Sequence, residues 1–492
     1  MFLYFRMILI MGVTLYTSRV ILDKLGVDDY GLYQVVGGVV GMLSFLNGTL
    51  SIGTSRFLTY ELGKGDNEKL KRTFSTAFYI HAILALIILL LMETGGLWFL
   101  YHELVIPLDR LTACAWVFHL SILTTMISIT QVPYTATIMA HERMGIYAYI
   151  SIFEAMAKLG VCYLISITPH DRLVFYALLI ASVQMSVAIF YRVYSVRHFP
   201  ESKLKWVFDK NILTSMMGFS GWNIIANLSE TLKLQGVIIL INMFFSPAIV
   251  AAQAIATQVS GAIMQFVNNF RTAINPQIIK LYAVGNKEAS QKLTLETTIY
   301  CFDLVLLLGL PAMLVMDWLM KLWLVEVPQY AVIFTQWIIF RNIIGTFNTA
   351  FYIPMMAANK IKTNSYAALF LSVGEFILLY FLLKQGFGPM WVQYMGVLLI
   401  VSFSMFVKPY ILYKEIGYSL KEIVSCYIAC IKIALLALLL VFITTYFLDR
   451  SIMGNVFRVL FSASSVLIAS YTFLEKEKKV KLKKILIHKI QK

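Results

Sequence analysis

Fourteen long apolar runs, closed by short polar turns, occupy residues 3–22, 31–62, 73–100, 111–140, 145–167, 173–195, 211–243, 247–282, 293–320, 329–357, 363–384, 389–413, 420–447 and 452–474. About 20 apolar residues suffice for a helix to cross a hydrocarbon core of ~30 Å. Lipid offers no partner to backbone N–H and C=O groups, so such runs must be helical. The longest exceed what the bilayer requires and must tilt, kink or project beyond it. The pattern predicts an all-α polytopic membrane protein with about 14 transmembrane helices.

The runs repeat. Residues 19–72 lead from an apolar segment carrying Arg19, through an acidic turn, into a second segment carrying Arg56 that ends in a Gly-Asp-Asn turn. Shifted by 220 positions, the same order returns: a turn at Ser246-Pro247, a long apolar run with Arg271, and a closing Gly285-Asn286-Lys287-Glu288. Val39, Gly41, Gly65 and Glu68 then fall on Val259, Gly261, Gly285 and Glu288. A second echo sets Pro133, Met139-Ala140 and Arg143 beside Pro354, Met356-Ala357 and Lys360. The spacing predicts a six-helix lobe over 1–195, a linker over 196–210 and a second six-helix lobe over 211–414. Two further helices over 420–474 and a basic tail over 475–492 follow. Halves of six spans keep one orientation, so they are expected as parallel repeats around a central cavity.

Composition agrees: 59% of residues are hydrophobic and only 14% charged, against about 25% charged in soluble domains. The net charge of +15 is no nucleic-acid signature, because its placement alternates. By this count 26 Lys and Arg fall in or beside alternate loops and the tail, and 6 on the opposite side. That asymmetry predicts both termini on the cytoplasmic side. The tail EKEKKVKLKKILIHKIQK reads as a topology anchor, with contact to anionic headgroups as the other reading. Cys114, Cys162, Cys301, Cys426 and Cys430 lie in apolar stretches without a Cys-x-x-Cys, and His81 and His119 stand among apolar neighbours. They read as packing residues, with no disulfide, metal or cofactor expected. The first run does not look like a cleavable signal peptide.

Nine cations within the runs remain once those counted with the loops are set aside: Arg6, Arg19, Arg56, Lys158, Lys233, Arg271, Arg341, Lys432 and Arg458. A charge at mid-membrane costs ~2.5–3.5 kcal/mol on insertion scales, so each needs a reason. Arg6, Lys432 and Arg458 are near enough to helix ends to snorkel. Lys158 follows Glu154 by four residues and Lys233 follows Glu230 by three, spacings that pair them on one helical face; a role in the cavity is the alternative. Arg19, Arg56 and Arg271 have no in-span acid three or four positions away, with Glu61 five beyond Arg56, and Arg341 is similar. A guanidinium keeps its charge and grips phosphate with two parallel hydrogen bonds. These four arginines are therefore candidate ligands of an anionic substrate, against bonding to carbonyls or acids of other helices. Asp303 and Glu375 are candidate sites for a coupling proton or cation, or partners of an arginine elsewhere. Asparagines in spans seven, eight and ten, Asn223 and Asn342 among them, suit either sugar hydroxyls or helix–helix contacts.

No Walker loop, Gly-x-Ser-x-Gly or His-Glu-x-x-His is present, and no loop is long enough for a catalytic domain. The chain is expected not to be an enzyme. The stretches SRVILDKLGVDDYGLYQVVGGV, GKGDNEK and PYTATIMAHER resemble the polysaccharide-biosynthesis branch of the multidrug/oligosaccharidyl-lipid/polysaccharide exporter superfamily. The resemblance implies a Wzx-type flippase in a bacterial inner membrane. It would carry polyprenyl-pyrophosphate-linked oligosaccharide, such as an O-antigen, capsule or exopolysaccharide repeat unit, by alternating access. It also implies that arginines of the first, second and eighth spans, here Arg19, Arg56 and Arg271, line the cavity. Implied partners are the lipid-linked oligosaccharide, membrane lipids, and a glycan polymerase with other assembly proteins. A multidrug and toxin extrusion cation antiporter of the same superfamily is the alternative. A non-transporting scaffold is a third.

Overall fold

The computed structural model describes residues 2–358, 360–445, 448, 451–474 and 479. The side chains of Arg6 and Asn223, the whole of Arg450, and the tail 475–492 apart from Lys479 lie outside what it describes. In chain order the helices are α1 (Phe2–Leu25), α2 (Val27–Gly41), α3 (Ser44–Lys64), α4 (Asn67–Leu91) and α5 (Leu97–His102). Then come α6 (Leu111–Ala140), α7 (Met144–Ile167), α8 (Arg172–His198), α9 (Lys210–Thr231) and α10 (Val237–Phe244). α11 (Pro247–Ala283), α12 (Lys287–Leu314), α13 (Met316–Trp323), α14 (Ala331–Ala350) and α15 (Tyr352–Ala357) follow. The last are α16 (Lys362–Lys384), α17 (Met390–Ser402), α18 (Lys408–Ile411), α19 (Leu420–Thr445) and α20 (Ile452–Phe473). The described residues contain no strand. Among the described residues, ten helical stretches are long and apolar enough to cross a membrane. The protein is an all-α polytopic membrane protein.

The expected runs are not all single helices. The run 31–62 breaks between α2 and α3, and 329–357 breaks at Phe351, between α14 and α15. Single π-turns at Met92–Gly96 and Leu232–Gly236 join α4 to α5 and α9 to α10. Proline does not break the chain at Pro133, Pro276 or Pro311, which lie inside α6, α11 and α12. In tightly packed bundles neighbouring groups satisfy the carbonyl that proline frees.

Turn chemistry sets the helix ends. Gly65 and Gly285, the glycines matched by the 220-residue shift, both sit in the left-handed region at φ 74° and 83°, where glycine meets no Cβ penalty. The next residue then caps the following helix: Asp66 accepts from Lys69 N–H at 3.0 Å, and Asn286 from Ala289 N–H at 3.1 Å. The second echo has a common form too. Arg143 N–H returns to the Ile138 carbonyl at 3.1 Å, and Lys360 N–H to that of Met355 at 2.8 Å. Both are six-residue closures that satisfy helix-terminal carbonyls.

The chain divides into two units. The first comprises Met1–Ala254, Leu324–Ala331 and Ala368–Val392. In it α6 packs against α3, α4 and α8, α3 against α9, and α1 against α7. Gly31 of α2 lies so close to Pro247 that a Cβ would come 1.9 Å from the Pro247 carbonyl oxygen. Arg110 ties three segments at one rim, donating to Asp29 and to Asp171, the latter at 2.6 Å. Arg172 adds a bond to the Lys24 carbonyl at 3.0 Å.

The second unit comprises Ile255–Trp323, Val332–Ala367 and Gln393–Lys492. Here α12, α19 and α20 pack mutually around a core that includes Phe302, Phe347, Phe351, Tyr427 and Val466. Phe347 and Tyr427 meet edge to face at 4.6 Å, a favoured geometry for aromatic quadrupoles.

Candidate functional site

Arg19 and Arg56 lie in the first unit, on α1 and α3, and both are exposed at its surface. α3 is not among the ten apolar spans. Its sequence SFLNGTLSIGTSRFLTYELGK shows why, with Thr49, Ser51, Thr54, Ser55 and Arg56 mixed among its apolar residues. Such a helix is tolerated at membrane depth where its polar side meets protein or water. Thr54 is already spoken for: its hydroxyl lies 3.1 Å from His81 Nε2 on α4, with both side chains fully buried. Glu61, the acid nearest to Arg56 in sequence, pairs with Lys69 at 3.2 Å. Asp23, four residues after Arg19, pairs with Lys24 at 3.0 Å.

Arg271 and Arg341 lie in the second unit. Arg271, on α11, donates from Nη2 to the Thr349 carbonyl at 2.7 Å. Thr349 is in the last turn of α14, whose break at Phe351 leaves carbonyls without intrahelical partners, so the cation meets a helix C-terminus. Arg271 Nε is buried without a hydrogen-bond partner, so the guanidinium is only partly satisfied. Arg341, on α14, lies against Gly396 of α17, where a Cβ would come 2.6 Å from Nη1. The neighbouring Asn342 donates to Ser260 of α11 at 2.7 Å. α14 is likewise absent from the ten apolar spans.

The other in-span charges have identifiable neighbours. Lys158 meets Glu154 at 2.7 Å and Lys233 meets Glu230 at 2.9 Å, the same-face pairs that their spacing implies. Asp303 on α12 faces the α20 helix and lies within interaction range of Ser470, while its Oδ1 is buried without a hydrogen-bond partner. Glu375, on α16, is half-buried. Arg458 donates to the Leu448 carbonyl at 2.6 Å, just beyond α19. His119, read as a packing residue, is bonded to Glu93 at 2.9 Å. All five cysteines are free and buried.

Lys408 and Arg192, counted with the loops, also lie within apolar runs. Lys408 is 1% exposed, with Nζ 5.1 Å from the Tyr352 ring centroid, 5.4 Å from that of Phe403, and 3.9 Å from Met355 Sδ. Aromatic faces stabilise a buried ammonium through their quadrupoles. Arg192 on α8 donates to Thr130 at 2.7 Å and lies over the Tyr134 ring. Both stand near the ends of apolar runs, where a cation is read as loop charge. The adjoining Pro409 and the aromatic-rich FSMFVKPY were the available signal for Lys408.

No protein-family model matches the chain, and no curated protein matches its sequence. Solved structures do. The lipid II flippase MurJ, in an inward closed conformation, superposes with a TM-score of 0.70 at 10% identity, covering 95% of this chain and 98% of its own. The chain shares the fold of that flippase. An inward-facing multidrug resistance MATE family transporter of the MOP superfamily matches at TM-score 0.60 and 13% identity, covering 84% of this chain and 94% of its own. A MOP superfamily transporter from Pyrococcus furiosus, described by the reverse polarity of its binding pocket, matches at TM-score 0.59 and 13% identity over 83% of this chain and 94% of its own.

Proposed function

We propose that this protein is a flippase for polyprenyl-pyrophosphate-linked oligosaccharide, moving the lipid-borne glycan across a bacterial inner membrane by alternating access. The observation that carries the reading is the set of guanidinium groups on the long helices α1, α3, α11 and α14. Arg19 and Arg56 are exposed, and Arg271 leaves Nε unsatisfied. The pyrophosphate head is a matching ligand, because planar N–H forks satisfy its oxygens in pairs. Arg341, beside Gly396, completes the proposed set. The acids do not form a matching set: Glu154 and Glu230 are paired with lysines, which disfavours an organic-cation antiporter. The extent of the structural likeness supports the same choice, since the flippase match covers 95% of this chain and the multidrug transporter match 84%.

In the proposed cycle the arginines hold the pyrophosphate while the prenyl tail stays in lipid. Asp303 and Glu375 are proposed coupling-ion sites, and Lys158 and Lys233 serve their own helices as ion pairs. We also propose repeat halves over 1–195 and 211–414 joined by 196–210, helices 420–474 as an addition, and both termini cytoplasmic. A glycan polymerase and other assembly proteins are the proposed partners. The test is equilibrium binding of polyprenyl pyrophosphate to detergent-purified protein. Arg19→Ala, Arg56→Ala and Arg271→Ala should each weaken binding at least tenfold, the equivalent of about 1.4 kcal/mol. Unchanged affinity in all three would overturn the assignment.

A further inference from the structure

The linker after α8 does not hang free. Phe199, Glu201 and Ser202 are buried, with Phe199 stacked on His141 at 4.2 Å and Glu201 bonded to His141 Nε2 at 2.5 Å. The chain then crosses α4, bending at Trp206, where Val207 N–H returns to the Lys205 carbonyl at 2.8 Å. Lys205 N–H donates to Ser75 at 3.0 Å, its carbonyl accepts from the Tyr79 hydroxyl at 3.2 Å, and its ammonium meets Glu68 at 3.1 Å. Asp209 N–H donates to Thr76 at 3.2 Å, and the Asp209 side chain caps α9.

The Trp206 ring stands 5.8 Å from that of Tyr79 on α4, and Leu204, Trp206 and Phe208 all remain at the surface. They are 44%, 95% and 44% exposed. Three apolar side chains are thus displayed within five residues, and the single ring contact to Tyr79 leaves the tryptophan nearly naked.

Their depth identifies what covers them. The strap crosses α4 at residues 75–79, near the start of the apolar part of a helix that is among the ten spans. Lys210, four residues beyond Trp206, opens α9. The segment is therefore tied to the membrane boundary through α4. Tryptophan partitions to that boundary, with its ring among headgroups and upper acyl chains. Lys203 and Lys210 flank the three and are exposed, complementary to anionic headgroups.

We propose that residues 203–210 form an interfacial strap whose Leu204, Trp206 and Phe208 insert into the adjoining leaflet, with Lys203 and Lys210 binding anionic lipid headgroups. Neither the fold likeness nor the flippase reading is needed for this assignment. The test uses the full chain in nanodiscs containing phosphatidylglycerol. Because the native cysteines are buried, a nitroxide is placed singly through Leu204→Cys, Trp206→Cys, Phe208→Cys or Lys203→Cys. Oxygen, which partitions into lipid, should relax the labels at 204, 206 and 208 more than a water-soluble nickel chelate does, with the reverse at 203. Replacing phosphatidylglycerol by phosphatidylcholine should shift the 206 label toward water, and Lys203→Gln with Lys210→Gln should remove that lipid dependence. All four labels favouring nickel would overturn the proposal. So would labels at 204, 206 and 208 shielded from both reagents, as under a protein partner. A lipid shift that persists in the double variant would overturn the role of the lysines.

Discussion

Gly31 faces the Pro247 carbonyl oxygen, with 1.9 Å left for any added Cβ. The obstacle is backbone and cannot rotate away. Gly31→Ala should therefore cost about 3 kcal/mol or more, at or above the upper end of ordinary overpacking. A melting temperature in detergent close to that of the unaltered protein would contradict the packing described. Asp171 gives a second prediction at this scale. Burial opposes its charge, but hydrogen bonds from Val174 N–H, the Arg110 guanidinium and Leu173 N–H hold its carboxyl below the usual aspartate range. A lowered folded-state value stabilises the protein above the unfolded aspartate value of about 3.9. That contribution is lost as pH falls through the lower folded value. Asp171→Asn should lower the melting temperature at neutral pH, and the gap should close in acid; a pH-independent gap would refute the linkage. Cations were the least legible residues in the sequence. The guanidinium of Arg271 meets a carbonyl 78 positions away, and Lys408 sits among rings. Neither partner is visible in local spacing, whereas the Lys158–Glu154 pair, set by one helical turn, was.

At the scale of elements, the turns repeat more faithfully than the helices. Gly65 with Asp66 and Gly285 with Asn286 build the same glycine-then-cap junction. Removing a cap costs about 0.5–2 kcal/mol, so Asp66→Ala and Asn286→Ala should each lower stability by a similar amount. Denaturant unfolding in mixed micelles would measure both, and a loss at only one site would break the equivalence. These junctions were readable because glycine and Asp or Asn carry the turn in their own chemistry. The α2–α3 and α14–α15 breaks were not, since each leaves the apolar run intact in composition. The π-turns at Met92–Gly96 and Leu232–Gly236 were hidden for the same reason: one extra residue per turn leaves hydropathy unchanged.

For the whole molecule, the fold class followed from length and apolarity, because lipid restricts spanning backbone to so few forms. What the helices carry is less constrained. The polar, interrupted character of α3 and its exposed Arg56 mark it as something other than a lipid-facing span, and the same holds for α14 with Arg341. Transport of an anionic lipid-linked glycan is the account that gives these cations a task. Liposomes reconstituted with the protein provide its most direct test: a fluorescent polyprenyl-pyrophosphate oligosaccharide is followed by loss of protection from an external reagent, beside uptake of a cationic dye. The account predicts glycolipid movement that Arg19→Ala, Arg56→Ala or Arg271→Ala abolishes, with no dye uptake. Dye uptake without glycolipid movement would contradict it.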